Sequence, residues 1–376
     1  MPRARSPRTG HSAARGRTLA GVYRRFGGSG VAGTSPLEGR VALALSGSEE
    51  ALHALEAVPA RRRDPAVVLA ALHDLALAGR APALAAAYAA GDGDAAARAA
   101  VDVLVTTTDA VVATATRRRP RTRETDRCAV LYPVVAEAAR RVGADAVGLV
   151  AVGASAGLDA HVDRLGITYG GTPGGGGRLL GDPSSPVQLS CSVVGDRPVP
   201  ARAVPEVVAR VGVDPDPVDP TDPEDARWLR ACLPPDRPEQ AAALAAGSAL
   251  VAAEPPVLLR GDAVDLLPEA VARVSEGALP VVTTAWALSR LAPERRLRFL
   301  HRLGDAAAGR AVAWVSAEGV GVAPAVPTLG DRRASGHSTV GLAVADRSTL
   351  HAEAVGRCWS RGRLLAWLAD PGAPGR

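Results

Sequence analysis

The chain has 376 residues, 47% hydrophobic and 22% charged, the balance of an ordinary soluble globular protein with room for one large or two ordinary domains. Its net charge of +5 does not argue for nucleic acid. Residues 1–25 hold seven arginines and no acid, and the remaining 37 basic residues face 39 acids.

The basic excess therefore belongs to the N-terminus. Residues 1–17, rich in Pro, Ser, Gly and Arg, are expected to form a disordered basic tail. No aromatic interleaves with its charges, so nucleic-acid binding through it is not expected. Every basic side chain is Arg, and with the abundance of Ala, Gly, Pro and Val this reads as the coding bias of a GC-rich genome. An arginine here is thus a weak sign of a phosphate site. The tail lacks the apolar stretch of a signal peptide. No run reaches the ~18 uncharged apolar residues of a membrane helix; the nearest, Val67–Gly79, contains His73 and Asp74. A cytoplasmic protein without a membrane partner is expected. Cys128, Cys191, Cys232 and Cys358 lie far apart, without C-x-x-C or a histidine at ligand spacing, so they read as buried thiols and no metal site is expected.

Residues 18–143 read as a helical region. In "DPAVVLAALHDLALAG", Val67, Val68, Ala71, Leu72 and Leu75 share one face, and Asp64-Pro65 supplies an N-cap and a first-turn proline. His73, on that apolar face, reads as a satisfied structural histidine. "PALAAAYAAGDGDAAARAAVDVLV" continues in helical style, with a break at Gly91–Asp94, and "TDRCAVLYPVVAEAARRVG" reads as an amphipathic helix ending at Gly143. From 144 to 370 the pattern changes to apolar, β-branched runs alternating with helices: Val147–Val152, Val211–Val218, Pro256–Arg260, Leu279–Thr284, Ala311–Ser316 and Val340–Val344. This alternation predicts an α/β fold with a parallel, doubly wound, Rossmann-like sheet. A Gly-rich insert at about 169–195 reads as a hairpin.

The stretch "VGLVAVGASAGLDAHVDR" (147–164) raises the functional question. It reads as a strand, a small-residue turn and a helix start. As a nucleophile elbow, G-x-S-x-G would present Ser155 for attack, with Asp305 or Asp331 and His337 or His351 completing a triad. Yet almost nothing before Val147 reads as strand, and no His-Gly-Gly loop offers an oxyanion donor. As the turn after the first strand of a doubly wound sheet, it would bring the backbone of Gly153, Ala154, Ser155 and Gly157 against a cofactor. Asp214 or Asp219 would then lie near a ribose and Asp262 near an adenine. Thr283 and Thr284, in a small polar turn, would line the transfer site. This order is that of a class I S-adenosylmethionine-dependent methyltransferase, with a small-molecule ligand in the crevice at the C-terminal ends of the strands. Simpler roles stand beside it: glycines that permit close packing, Asp262 as a helix N-cap, and Trp286 as a packing residue. A third possibility is a non-catalytic Rossmann-like binding module.

The stretches "SPLEGRVALAL", "VVLAALHDLALAG", "RTRETDRCAVLYP", "VGASAGLDAHVDRLGITYG", "VGVDPDPVDPTDPEDARWLRACLPPDRPEQ", "LLRGDAVDLLPE" and "RGRLLAWL" resemble, in order, the bacterial domain-of-unknown-function family 2332. The resemblance implies a methyltransferase-like fold and no known activity. Three positions depart from the family pattern: Ala151 replaces a glutamate two residues before the first glycine, Asp159 replaces an asparagine, and Arg361-Gly362 replaces His-Gly. An acid at position 151 would hold the cofactor's ammonium end; without it, weaker cofactor binding or a substitute such as Asp159 is expected.

Overall fold

A computed structural model describes residues 18–28, 35–121, 125–171, 177–347 and 349–370. The tail expected over 1–17 lies outside them. The chain forms two compact units, one of residues 1–120 and 230–238 and the other of 121–229 and 239–376.

Among the described residues of the first unit the α-helices are α1 (Leu19–Gly28), α2 (Pro36–Gly47), α3 (Glu49–Glu56), α4 (Pro65–Leu77), α5 (Pro82–Ala90), α6 (Gly93–Thr106) and α7 (Thr108–Arg117). Local signals set their ends. Asp64 caps α4 by accepting the Ala66 N–H at 2.9 Å. Gly91 ends α5 in the left-handed region, where a residue without Cβ carries no steric cost, and Asp92 starts α6. α4 is buried at every position from Val67 to Ala76, on every side rather than along one stripe. His73 is buried with it, Nδ1 at 3.2 and 3.0 Å from the Ala231 and Leu233 carbonyls, and burial pushes its pKa down. It is the satisfied structural histidine expected. The 230–238 segment is held by such bonds: Asp236 also accepts from Ser35 Oγ at 2.7 Å and the Leu37 N–H at 3.2 Å. Among the described residues no single helix is long and apolar enough to cross a membrane.

The second unit is built on α8 (Cys128–Val142) and one mixed sheet of eleven strands. The strands are β1 (Ala146–Val152), β2 (Gly166–Gly170), β3 (Arg178–Gly181), β4 (Gln188–Val193), β5 (Glu206–Asp214), β6 (Val257–Arg260), β7 (Leu279–Ala285), β8 (Val312–Gly319), β9 (Ser338–Asp346), β10 (Thr349–Trp359) and β11 (Leu364–Trp367). Their order is β3-β2-β4-β11-β10-β9-β8-β7-β1-β5-β6. From β8 to β6 every neighbour is parallel. The central strands β1, β7 and β8 run as apolar stretches because both faces are covered; every residue of β7 is buried. The remaining helices are α9 (Pro223–Ala231), α10 (Pro238–Ala253), α11 (Ala263–Ala272) and α12 (Pro293–Ala306).

Four expectations are corrected. The sheet is not wholly parallel: β9 is antiparallel to β8 and β10 to β9, joined by a short turn that strand–helix alternation cannot reveal. β5 starts five residues earlier than expected, at Glu206. The helical region does not extend to Gly143 as one body. The units divide after Pro120, because α8, buried from Cys128 to Ala139, shares the core of β1, β7 and β8. Finally, the helix start expected after β1 is a 3₁₀ segment, Leu158–Arg164, kinked at His161, and not an α-helix. The expected hairpin does form, β2 pairing antiparallel with β3; residues 172–176 of that insert lie outside the described residues.

Candidate functional site

The carboxyl ends of the five parallel strands converge on one edge of the sheet. Order along this edge reverses at β1: the chain moves outward through β5 and β6, then returns to β7 on the other side. In doubly wound sheets such a reversal is where ligands bind, outside the carboxyl ends of the strands.

The turn after β1 stands there, shaped by three left-handed residues, Gly153 (φ +74°), Ser155 (φ +52°) and Gly157 (φ +89°). Its donors are largely used within the fold. The Gly153 N–H bonds Val213 O at 2.8 Å and the Gly157 N–H bonds Ala154 O at 2.8 Å. The Ser155 N–H bonds Asp214 Oδ2 at 3.1 Å. Ala154 is buried and faces Gly212, whose own Cβ would lie 2.9 Å from it. The turn is thus strapped to the end of β5. A Cβ on Gly153 would sit 3.2 Å from Ala287 Cβ, in the loop after β7, so the two loops touch across the switch in strand order.

The acids proposed for a cofactor have protein partners. Asp214, at the end of β5, also accepts the Asp216 N–H at 2.9 Å and faces Arg121 at 3.7 Å. Asp159 is buried and takes a two-point pair from Arg127, Nε–Oδ1 2.7 Å and Nη2–Oδ2 2.7 Å. Cys128 Sγ contacts the same carboxylate at 3.6 Å. Asp219 closes an exposed turn by accepting the Thr221 N–H and hydroxyl, bonds that hold its pKa below the usual carboxylate value. Asp262 is the N-cap of α11, accepting the Val264 N–H at 2.8 Å, and it pairs with Arg295. Thr283 and Thr284 are not in a turn but within β7. Thr284 is wholly buried and accepts from Trp314 Nε1 at 3.1 Å.

Two of the triad candidates, Asp331 and His337, come together, but without Ser155. Asp331 binds His337 Nε2 at 2.9 Å and Arg357 Nε at 2.7 Å; Asp305 pairs with Arg302, and His351 lies exposed on β10. Among the described residues no hydrogen bond joins Ser155 Oγ to a histidine. His161, closest in sequence, has both ring nitrogens on carbonyls, Gly157 O at 2.9 Å and Glu254 O at 2.8 Å.

Glu318 is a further carboxylate, immediately before Gly319, which closes β8. It is fully buried at the carboxyl end of β8, with Oε1 accepting the Ala287 and Leu288 N–H groups at 3.0 and 2.9 Å. Among the described residues its Oε2 has no partner, nor do the buried hydroxyls of Ser316, two residues earlier, and Thr339, directly across on β9. Burial pushes this carboxyl up to about 7, in the range of groups that exchange protons near neutrality. Beside it, Trp286 (φ +52°) donates Nε1 to Ser338 Oγ at 2.9 Å and lies 5.5 Å under the Arg361 guanidinium. No sequence pattern marks Glu318; only the sheet reveals that it is buried. Among the described residues no His/Cys/Asp/Glu group is arranged for a metal.

Residues 20–367 match the family of uncharacterised proteins conserved in bacteria, DUF2332, and the chain belongs to it. No curated protein and no solved structure matches the chain.

Proposed function

We propose that the second unit is a Rossmann-like, methyltransferase-type domain that takes an S-adenosyl ligand in the crevice outside β1 and β7. The observation that carries this reading is the parallel order β6-β5-β1-β7-β8, with a glycine turn leaving β1 at the point of reversal. Asp214, at the end of the neighbouring strand, suits a ribose: a carboxylate can accept more bonds than the two N–H groups now on it. Bound S-adenosylmethionine would supply an electrophilic methyl, and the protein's task would be to align an acceptor with it. Glu318, at the same edge, is the group suited to take a proton from that acceptor.

A second reading, a binding module without catalysis, is favoured by the amino-acid end of the site. Ala151 offers no charge there, and Asp159, the candidate substitute, is already neutralised by Arg127. The fit is therefore to the ribose half of the ligand and not to its ammonium.

Isothermal titration calorimetry with S-adenosylmethionine and S-adenosylhomocysteine separates the two. Binding that Gly153→Val abolishes supports the methyltransferase-type reading. No heat from either ligand with a folded sample leaves the non-catalytic module.

A further inference from the structure

At the opposite edge of the same sheet lies a cavity of about 290 Å³. β11 is antiparallel to β10, β10 to β9 and β9 to β8. Trp367, at the end of β11, therefore stands on the edge where the parallel strands begin. The loop before β5 (Pro198–Arg202) and Glu137 of α8 close around it.

Its wall holds two arginines and two carboxylates, and the carboxylates are matched by arginines outside it. Glu137 is matched by its own helix: Arg140 reaches it twice, at 2.9 and 2.6 Å, and Arg141 Nε at 2.9 Å. These partners hold its pKa below the usual carboxylate value despite burial. Asp370 is matched by Arg197 at 2.9 Å. The two arginines of the wall are less well served. Among the described residues Arg202 comes no nearer to Glu137 than 4.0 Å, and Arg178 donates to the Val199 carbonyl at 3.4 Å. Two guanidinium groups thus face a concave space whose other walls are Pro198, Val199, Pro200 and Trp367. Guanidinium groups bind carboxylates and phosphates in two-point fashion, and the apolar wall suits a flat hydrocarbon body.

We infer that this cavity binds a small organic anion, its carboxylate or phosphate head held by Arg178 and Arg202 and its body against Trp367 and Val199. The site is separate from the crevice at the carboxyl edge and does not depend on what that crevice binds.

The test is calorimetry of the full chain with benzoate, phenyl phosphate, inorganic phosphate and the cation benzamidine. The comparison is Arg178→Gln/Arg202→Gln against a charge-matched control, Arg273→Gln/Arg302→Gln, all checked for folding by circular dichroism. The expected result is one-to-one binding of benzoate or phenyl phosphate, weakened about tenfold or more in the cavity variant and unchanged in the control, since each tenfold is about 1.4 kcal/mol. Preference for benzoate assigns a carboxylate head, and preference for phenyl phosphate a phosphate head. Any of four results overturns the site: no binding of either aromatic anion, equal affinity for inorganic phosphate, binding of benzamidine, or binding that the cavity substitutions leave intact.

Discussion

Arg127 and Asp159 face each other with both guanidinium donors on both carboxylate oxygens, each bond 2.7 Å long, and both side chains nearly out of solvent. The pair joins the start of α8 to the 3₁₀ turn after β1. Removing one partner leaves the other charge buried, so Asp159→Ala should lower stability by about 3–5 kcal/mol. A double Arg127→Met/Asp159→Leu variant should regain much of that loss. Urea melts of the three proteins check it; a loss below about 1 kcal/mol for the single variant would mean the pair contributes little.

Glu318 should impose a pH dependence on folding. Its carboxyl rises from 4.5 to about 7 on burial, so between those values the folded chain holds a proton that the unfolded chain has released. The stabilising contribution is complete below the unfolded value and is lost as pH climbs through about 7. Glu318→Gln keeps an acceptor for the Ala287 and Leu288 N–H groups but cannot ionise. At pH 8 it should exceed the wild type by up to roughly 3 kcal/mol, at about 1.4 kcal/mol per pKa unit, and the two should converge at pH 4.5. Parallel stability curves would show that the carboxyl does not titrate this way.

Left-handed backbone at Gly153 and Gly157 makes alanine costly at both, by roughly 1–2 kcal/mol. The added methyl group should separate the two sites. At Gly157 it would lie 2.8 Å from the Pro256 ring, and at Gly153 3.2 Å from a single methyl, Ala287 Cβ. Gly157→Ala should therefore be the less stable by thermal melting.

Thr284 serves Trp314 rather than a ligand. Thr284→Val should cost about 1–3 kcal/mol by stranding the buried indole N–H, while Thr284→Ser should be nearly silent. Affinity for an S-adenosyl ligand, measured at a temperature where both variants are folded, should not change.

Ser155 lacks a histidine partner, and a fluorophosphonate probe is expected to leave it unlabelled. Labelling that vanishes in Ser155→Ala would revive the hydrolase reading.

Much of the local structure was legible. The Asp64 and Gly143 caps, the turn residues Gly153 and Gly157, β1, β6 and β7, and the capping role of Asp262 follow from φ preferences and nearest-neighbour hydrogen bonds. Such properties belong to a few adjacent residues and survive in a linear reading. What depended on distant partners was not legible. β2, β4, β10 and β11 are short or alternating strands fixed by their neighbours in the sheet, and α8 belongs with the sheet because its buried residues share the core of β1, β7 and β8. The site divides the same way. The sequence by itself determined that residues 153–157 form a tight small-residue turn and that acids end β5 and open α11. Only the tertiary structure decided that Asp159 is consumed by Arg127, that Thr284 is sealed under Trp314, and that Glu318 is the carboxyl held away from water. The physical reason is that a charge or hydroxyl takes its character from its solvation and partners, and these come from residues as far as 32 positions away along the chain for Asp159 and 31 for Glu318.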